Sequence, residues 1–238
     1  MPERPEAWVI LPTYDEAENL ERIVGAVLEQ LPDSGKVLVV DDNSPDGTGE
    51  IADRLATETD RIRVLHRERK EGLGPAYLAG FRVALDAGAD RIIEMDADFS
   101  HDPSYLPSLI AATENADLSI GSRYVPGGGV RDWGPVRRFI SRGGSAYARL
   151  ALRVPVKDLT GGFKCFRREV LEAIDIDSIE ARGYAFQVET TYRALKSGFR
   201  VVELPIVFRD RREGSSKMSK SIVAEAMWRV PAMRFRRW

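Results

Sequence analysis

The fold is decided by a stretch near the middle of the chain, Arg91-Ile92-Ile93-Glu94-Met95-Asp96-Ala97-Asp98-Phe99-Ser100-His101. A short apolar run ends here in two aspartates at positions i and i+2. Because side chains alternate along a strand, Asp96 and Asp98 point the same way off the end of a buried strand. Two carboxylates at such an edge make a hard oxygen site, which suits Mg²⁺ or Mn²⁺ with a phosphate completing the shell. The alternative is that Asp98 only caps the next helix.

Outward from this stretch, apolar runs alternate with helical patterns up to about residue 124. The strand-like runs begin at Trp8, Lys36, Arg61, Arg91 and Leu118, and the first of them is continuously apolar, as in a strand covered on both faces. Such alternation predicts an α/β fold with a mostly parallel central sheet flanked by helices. Acidic residues follow three of the strands, as Asp15-Glu16, Asp41-Asp42 and the Asp96/Asp98 pair. Ligands bind at the carboxyl edge of such sheets, so we expect one shared site there.

Composition excludes several classes of site. The chain has 238 residues, 43% of them hydrophobic and 30% charged, enough for one large domain with its own core. The single cysteine, Cys165, excludes a disulfide framework, and two histidines, His66 and His101, disfavour a histidine-ligated metal. Neither Gly-x-Gly-x-x-Gly after the first strand nor a phosphate-binding loop ending in Gly-Lys-Ser/Thr is present. Dehydrogenase and nucleotide-hydrolase functions therefore lose support.

Charge is unevenly distributed along the chain. The net charge is −2, but residues 209–238 hold nine Lys and Arg against three acidic residues. We expect an anionic partner for this basic tail, and a membrane surface or phosphorylated ligand fits better than nucleic acid, for which no module is recognisable. The amino terminus has no apolar signal region, and no apolar run approaches the ~20 residues needed to cross a bilayer. The expected topology is cytosolic.

Two later segments carry cations suited to phosphate. Arg137, Arg138 and Arg142 surround Ser141 at a predicted helix start. Guanidinium forks pair with phosphate oxygens, and the amides at a helix start add to them. The alternative is a solvated basic turn. The polar loop at 210–217 has the cations to bind a diphosphate.

The last segment, residues 221–238, is predicted to be a helix bent at Pro231. It interleaves Trp228, Phe235 and other apolar residues with four arginines. This composition is typical of an interfacial helix that lies on anionic lipid. A terminal helix packed on the body explains its first half equally well and residues 235–238 less well. We therefore divide the chain into a domain at residues 1–220 and a basic aromatic segment at residues 221–238.

The motifs above belong to an ordered series between about residue 8 and about residue 217. The series is Leu11-Pro12-Thr13-Tyr14-Asp15-Glu16, Val40-Asp41-Asp42-Asn43-Ser44-Pro45-Asp46-Gly47-Thr48, Gly72-Leu73-Gly74, Met95-Asp96-Ala97-Asp98-Phe99-Ser100-His101, Gly121-Ser122-Arg123-Tyr124, Ile140-Ser141-Arg142-Gly143, Asp158-Leu159-Thr160-Gly161, and Asp210-Arg211 with Ser216-Lys217. It resembles the polyprenol-phosphate (dolichyl-phosphate) mannose synthases. These are family-two inverting glycosyltransferases with a single GT-A, Rossmann-like domain.

The resemblance implies a GDP-mannose donor, a polyprenyl or dolichyl phosphate acceptor and Mg²⁺ or Mn²⁺. By position it implies a guanosine site at Pro12, Tyr14, Glu16, Val40 and Asp42. It implies a metal and diphosphate site at Asp96, Ala97 and Asp98, with Ser100 as a third metal ligand where some relatives have Gln. It places the donor phosphates and mannose at Arg123, Arg211 and Lys217, and the acceptor phosphate at Arg137 and Ser141. The catalytic set would be Asp98, Arg123, Arg211 and Lys217.

Many relatives continue into transmembrane helices, whereas this sequence stops at Trp238 without them. The resemblance therefore predicts a peripheral protein at the cytoplasmic face of a membrane. Attachment would come from the basic aromatic tail or from a membrane-protein partner.

Three alternatives remain open. The nearest is a polyprenyl-phosphate glucosyltransferase that uses UDP-glucose, which the Asp-x-Asp motif does not distinguish. An aspartate phosphatase motif at 46–48 is disfavoured because a turn separates it from its strand. A non-catalytic adaptor at a lipid surface is disfavoured by the intact Asp96, Asp98, Arg123, Arg211 and Lys217.

Overall fold

The computed structural model describes residues 6–179, 183–209 and 228–236, apart from the side chain of Tyr184. The strands in this part of the chain are β1 (Ala7–Thr13), β2 (Lys36–Asp41), β3 (Ile62–His66), β4 (Arg91–Glu94), β5 (Leu118–Ser122), β6 (Gly129–Val130), β7 (Lys164–Arg167), β8 (Val201–Pro205) and β9 (Val207–Phe208). The α-helices are α1 (Ala17–Gln30), α2 (Thr48–Glu58), α3 (Leu73–Asp86), α4 (Leu106–Ala112), α5 (Pro135–Leu152), α6 (Arg168–Ala173) and α7 (Gly183–Lys196). Short 3-10 helices occupy Pro103–Tyr105 and Ile176–Ser178.

Seven strands form one central sheet in the order β3-β2-β1-β4-β7-β5-β8. Every neighbouring pair is parallel except those made by β7, which runs antiparallel to both β4 and β5. β6 and β9 pair separately as a two-stranded parallel ladder. The predicted α/β fold with a mostly parallel sheet is confirmed.

The core lies on both faces of the sheet. Along β1, Trp8 and Ile10 belong to one apolar cluster, and Val9 and Leu11 belong to the other. α3, α5, α6 and α7 cover the first face, and α1, α2 and α4 cover the second. A strand buried on both faces needs apolar residues at every position, which explains the continuous run in its sequence.

One glycine brings a helix close to the sheet. A Cβ atom on Gly80 of α3 would lie 2.4 Å from Ile10 Cγ2 and 3.2 Å from Val40 Cγ2. Only a residue without a side chain lets α3 sit this near β1 and β2. The helix thereby fixes the ends of the strands that lead into the site.

The C-terminal segment, defined here as residues 228–236, packs some apolar residues on the body of the protein and exposes others to solvent. Its residues 228–233 are helical, and Val230 and Met233 are buried in the same cluster as α5. Trp228 and Phe235 are each 84% exposed. No helix among the described residues is long and apolar enough to cross a membrane. The remainder of the tail, and the predicted site residues Arg211 and Lys217, lie outside the described residues.

Candidate active site

The loops that follow β1 and β2 are tied together at the carboxyl edge of the sheet. Thr13 Oγ1 donates to Asp41 Oδ1 at 3.2 Å, and the backbone N–H of Asp42 donates to the Thr13 carbonyl at 3.0 Å. The N–H of Glu16 donates to Thr48 Oγ1 at 3.0 Å. Pro12 and Val40 are partners in the β1–β2 register. The five residues predicted to hold the nucleoside therefore lie on two adjacent strand ends and their loops.

Asp42 and Tyr14 each have a cationic neighbour in this nucleoside region. The Asp42 carboxylate pairs with the Arg67 guanidinium, which also donates to Glu71 at 2.6 Å. Burial raises the pKa of Asp42 above its ordinary value, and the nearby Arg67 charge opposes that rise. Lys70 Nζ lies 3.5 Å from the centroid of the Tyr14 ring. Sequence reasoning gave no role to Arg67 or Lys70, because each acts through a partner on a different element.

The Asp96/Asp98 pair lies just beyond β4, at the same edge. Tyr77 Oη donates to Asp96 Oδ1 at 3.3 Å, and Asp98 Oδ1 accepts the N–H of Ser100 at 3.0 Å. The Asp96 N–H donates to His101 Nδ1 at 3.2 Å, so this nitrogen is unprotonated in that contact. Burial, and then the Asp96 charge, raise the pKa of Tyr77 well above its usual value. Tyr77 therefore stays a neutral donor.

Hard oxygen donors at this position fit a divalent cation. Asp98 is buried, and the Ser100 hydroxyl oxygen is buried without a hydrogen-bond partner among the described residues. A buried hydroxyl in that state has unused acceptor capacity beside two carboxylates. The described part of the chain contains no group of three or more His, Cys, Asp or Glu placed to hold a metal.

Three edge loops share an uncommon backbone conformation. Asp15, Asn43 and Phe99 have φ of 58°, 59° and 59°, one residue in each loop after β1, β2 and β4. For a bulky residue such as Phe99 this region is a steric outlier that the surrounding structure must hold in place. The guanidinium of Arg22 lies 5.3 Å from the centroid of the Phe99 ring. Asp and Asn tolerate this conformation, so the backbone strain at this edge lies at Phe99, beside Asp98.

Arg123 is fixed by a carboxylate to which sequence reasoning gave no role. Its Nε and Nη2 atoms donate to the two oxygens of Asp158 at 2.8 and 2.7 Å, and Nη2 also donates to Thr160 at 2.9 Å. Asp158 is fully buried, and it also accepts the Arg123 backbone N–H at 2.9 Å. Arg123 thus has a defined position just after β5. Its predicted contact with the donor stays a prediction.

The predicted acceptor residues lie four positions apart on α5, so they share one face of the helix. Ser141 Oγ lies 2.6 Å from Tyr124 Oη, and the Arg137 guanidinium lies 4.3 Å from the centroid of the Trp133 ring. The predicted helix start is confirmed at Pro135. Arg137 and Ser141 are half-buried beside aromatic rings, whereas Arg138 and Arg142 are exposed, as the alternative of a solvated basic segment expects. Binding of an acceptor phosphate by Arg137 and Ser141 stays a prediction.

Aromatic contacts join this helix start to the Asp96/Asp98 loop. Phe208 packs edge-on against Trp133 at 5.4 Å and against His101 at 5.3 Å between ring centroids. β4 and β5 point the same way, because each runs antiparallel to β7, so their carboxyl ends share one edge. The Asp96/Asp98 loop and the start of α5 therefore lie together at one edge of the sheet.

A buried ion pair lies directly beneath the Asp96/Asp98 loop. Glu94 of β4 and Lys164 of β7 are cross-strand partners with Oε2 and Nζ 3.9 Å apart, and both are fully buried. Lys164 Nζ also donates to the Gln187 carbonyl, Gln187 Oε1 and Thr190 Oγ1 at 2.8, 2.6 and 3.0 Å. Burial raises the pKa of Glu94 to about 7 and lowers that of Lys164 to about 8, and each charge opposes the other's shift. Nothing in the local sequence pattern signals this pair.

Comparison with known proteins identifies close relatives. A family model described as glycosyl transferase family 2 matches residues 8–175. The polyprenol monophosphomannose synthase of Mycolicibacterium smegmatis is 51% identical over 224 residues, which cover 93% of this chain and 84% of that protein. The undecaprenyl-phosphate mannosyltransferase of Micrococcus luteus is 50% identical over 221 residues, covering 93% of this chain and 90% of that protein.

Solved structures share the fold at low sequence identity. Glucosyl-3-phosphoglycerate synthase from Mycobacterium tuberculosis, in complex with Mn²⁺, UDP-glucose and phosphoglyceric acid, gives a TM-score of 0.71 at 19% identity and covers 96% of this chain and 80% of that one. The same protein with Mg²⁺ and UDP gives 0.68 at 19% identity, covering 96% and 78%. At this identity the likeness shows the fold alone.

Proposed function

The chain belongs to glycosyl transferase family 2, and we propose that it transfers mannose from GDP-mannose to a polyprenyl phosphate with Mg²⁺ or Mn²⁺ as cofactor. It is a glycosyltransferase whose two relatives are named for mannose transfer to polyprenyl phosphates. Those names do not state the donor nucleotide or the metal: GDP-mannose is proposed from the motif resemblance, and the metal from the Asp96/Asp98 loop.

One observation carries the proposal. The Asp96/Asp98 loop and the start of α5 are connected through His101, Phe208 and Trp133, at the edge where the β1 and β2 loops also lie. A reaction between a nucleotide sugar and a phosphate acceptor needs two anion sites side by side. Carboxylates that hold a cation serve one of them, and Arg137 with Ser141 serves the other.

The acceptor needs little chemical activation. A phosphate monoester has a second pKa of ~6, so it is largely a dianion at neutral pH and already a nucleophile. Arg137 donates from a guanidinium held against Trp133, and Ser141 is held by Tyr124. These donors orient the phosphate without supplying a base. Direct in-line attack on the anomeric carbon breaks its bond to the departing GDP oxygen and inverts the configuration.

The step that most needs catalysis is departure of the leaving group, because negative charge develops on the diphosphate as it leaves. A cation held by Asp96 and Asp98, with the Ser100 hydroxyl beside them, supplies charge neutralisation to that diphosphate when bound. The solved fold neighbours contain Mn²⁺ or Mg²⁺ together with UDP. Arg211 and Lys217 lie outside the described residues, and their contribution to the diphosphate rests on the family motif.

The test is transfer of labelled mannose from GDP-mannose to a short-chain polyprenyl phosphate, with Mg²⁺ or Mn²⁺ and with EDTA. We expect label in the organic phase with metal and loss of transfer with EDTA. Asp98→Asn should lower the rate about a hundredfold or more, because it removes a charge that faces the diphosphate. Asp102→Asn is the matched control, since Asp102 only caps a 3-10 helix by accepting the Ser104 N–H.

Transfer from UDP-glucose in place of GDP-mannose would overturn the donor assignment and keep the acceptor. Full activity of Asp98→Asn, or full activity in EDTA, would overturn the metal assignment. Inactivity with both donors would favour an adaptor at a lipid surface.

A further inference from the structure

Trp133 is a buried side chain within an exposed stretch that connects β6 to α5. The flanking residues Arg131 to Val136 are exposed, whereas only 8% of the Trp133 surface is accessible. The indole nitrogen Nε1 is buried and has no hydrogen-bond partner among the described residues. A buried tryptophan usually pairs this N–H group, because leaving it unpaired costs free energy. Such an orphaned donor is explained when a bound ligand supplies the missing acceptor.

The side chains around the Trp133 ring explain why this N–H group is unpaired. The guanidinium carbons of Arg137 and Arg123 lie 4.3 and 5.7 Å from the ring centroid, and Phe208 packs edge-on at 5.4 Å. An arginine side chain has donors and no acceptor, and a phenylalanine side chain has neither. These neighbours therefore cannot accept the indole proton. The two guanidinium charges favour an acceptor that is an anion.

The position of Trp133 relative to α5 adds to the preference for an anion. Trp133 lies one residue before the N-cap residue Gly134, and no side chain caps the first turn of the helix. The first N–H groups of a helix lack intrahelical acceptors and carry a partial positive charge, which favours an oxyanion at that end. The orphaned indole N–H, the helix start and the Arg137 guanidinium thus lie within one short segment.

We infer that the Nε1–H group of Trp133 donates a hydrogen bond to the phosphate monoester of the acceptor, as a third donor beside Arg137 and Ser141. The inference rests on the proposed function for the identity of this ligand. The indole is neutral, so it orients a phosphate oxygen without adding a positive charge that would weaken the nucleophile. Arg137 supplies the charge, and Ser141, held by Tyr124, supplies a hydroxyl from the next turn of α5.

The test follows the indole N–H signals of the ¹⁵N-labelled full chain by NMR during titration with geranyl phosphate, a water-soluble prenyl phosphate monoester. The chain has four tryptophans, so four single Trp→Phe variants assign the signals. We expect the Trp133 proton to move downfield as its hydrogen bond forms, with geranyl phosphate and not with geraniol. Trp8 is the internal control, because its Nε1 already donates to Glu6 at 2.7 Å and its signal should stay in place.

Removal of the donor should also weaken acceptor binding. Trp133→Phe keeps an aromatic ring beside Arg137 and removes the N–H group, so the Kd for geranyl phosphate should rise about tenfold or more, as expected for a lost hydrogen bond to a charged acceptor. The Kd for GDP with Mg²⁺ should not change. Trp228→Phe is the matched control, because Trp228 is 84% exposed on the C-terminal segment, and it should leave both dissociation constants unchanged.

Two results would overturn the inference. One is a Trp133 signal that stays in place at saturation with geranyl phosphate. The other is a shift produced by GDP with Mg²⁺ and not by geranyl phosphate, which would assign the N–H group to the donor diphosphate. The expected shift without mannose transfer from GDP-mannose would overturn the proposed function and leave this inference standing. Transfer with a Trp133 signal that does not respond would do the reverse.

Discussion

Asp158→Asn tests whether the buried carboxylate sets the position of Arg123. Asparagine keeps the shape of the side chain but removes the charge that accepts Arg123 Nε at 2.8 Å and Nη2 at 2.7 Å. The guanidinium then remains buried without the charge of Asp158 beside it. Breaking a buried ion pair in this way costs about 3–5 kcal/mol. Domains are stable by about 5–15 kcal/mol, so the variant should fold while losing a large share of its stability.

The measurement is urea denaturation of the wild type, Asp158→Asn and the double variant Arg123→Gln/Asp158→Asn. The double variant removes both charges and should regain more than half of the lost stability. Asp177→Asn is the matched control, because its partner Arg82 is exposed and such pairs contribute about 1 kcal/mol or less.

Measurements of activity distinguish a role of Asp158 in positioning Arg123 from a role in stabilising the fold alone. If Arg123 contacts the donor, both the single and the double variant should lose about a hundredfold or more in kcat under conditions where they are folded. Activity that returns with stability in the double variant would assign Arg123 a structural role only. Stability of Asp158→Asn within about 1 kcal/mol of the wild type would refute the reasoning on the ion pair itself.

Three further predictions concern packing and titration. Gly80→Ala should lower the free energy of unfolding in urea by about 1–3 kcal/mol, because the added Cβ would meet Ile10, whereas Gly25→Ala, in open space on α1, should raise it by about 1 kcal/mol. Equal effects of the two would contradict the close approach of α3. Burial lowers the pKa of Lys164 from 10.5 to about 8, so between those pH values the unfolded chain binds a proton that the folded chain has released. The unfolding free energy of the wild type should therefore rise with pH in this window relative to Lys164→Met, and parallel profiles would refute it. Burial raises the pKa of Cys165 to about 12, so its thiol should react with an aromatic disulfide reagent at pH 8 only as fast as the protein unfolds.

The first half of the fold was predictable because its signals are local. Apolar runs that alternate with helical patterns give the order of strands and helices, and the start of each strand to within a residue or two, up to β5. The position of β7 in the sheet was not predictable in the same way. Beyond residue 124 the alternation ends, and β7 inserts antiparallel between two strands that come earlier in the chain.

The candidate site was likewise predictable where its residues have local sequence signals and not where they depend on distant partners. The loops after β1 and β2 and the Asp96/Asp98 pair each follow a strand of the parallel part of the sheet. Their residues therefore meet at the carboxyl edge of that sheet. Asp158 and Lys164 acquire their roles from partners more than twenty residues away. On α5, the apolar residues Phe139 and Leu150 are exposed while Ser145 is buried, because periodicity alone does not reveal which face of a helix meets the core.

The insertion of β7 divides the sheet into two contiguous halves of the chain. One half is built from residues 7–94 and carries the loops that are predicted to hold the nucleoside, and the other is built from residues 118–205 and includes α5, where the acceptor site is predicted. Within the sheet, the described strands of the two halves are joined by the ladder between β4 and β7, at the strand pair that contains Glu94 and Lys164. Sliding one half past the other would separate these two charges and bury each alone, at a cost of several kcal/mol. The pair therefore favours one relative position of the two halves of the sheet.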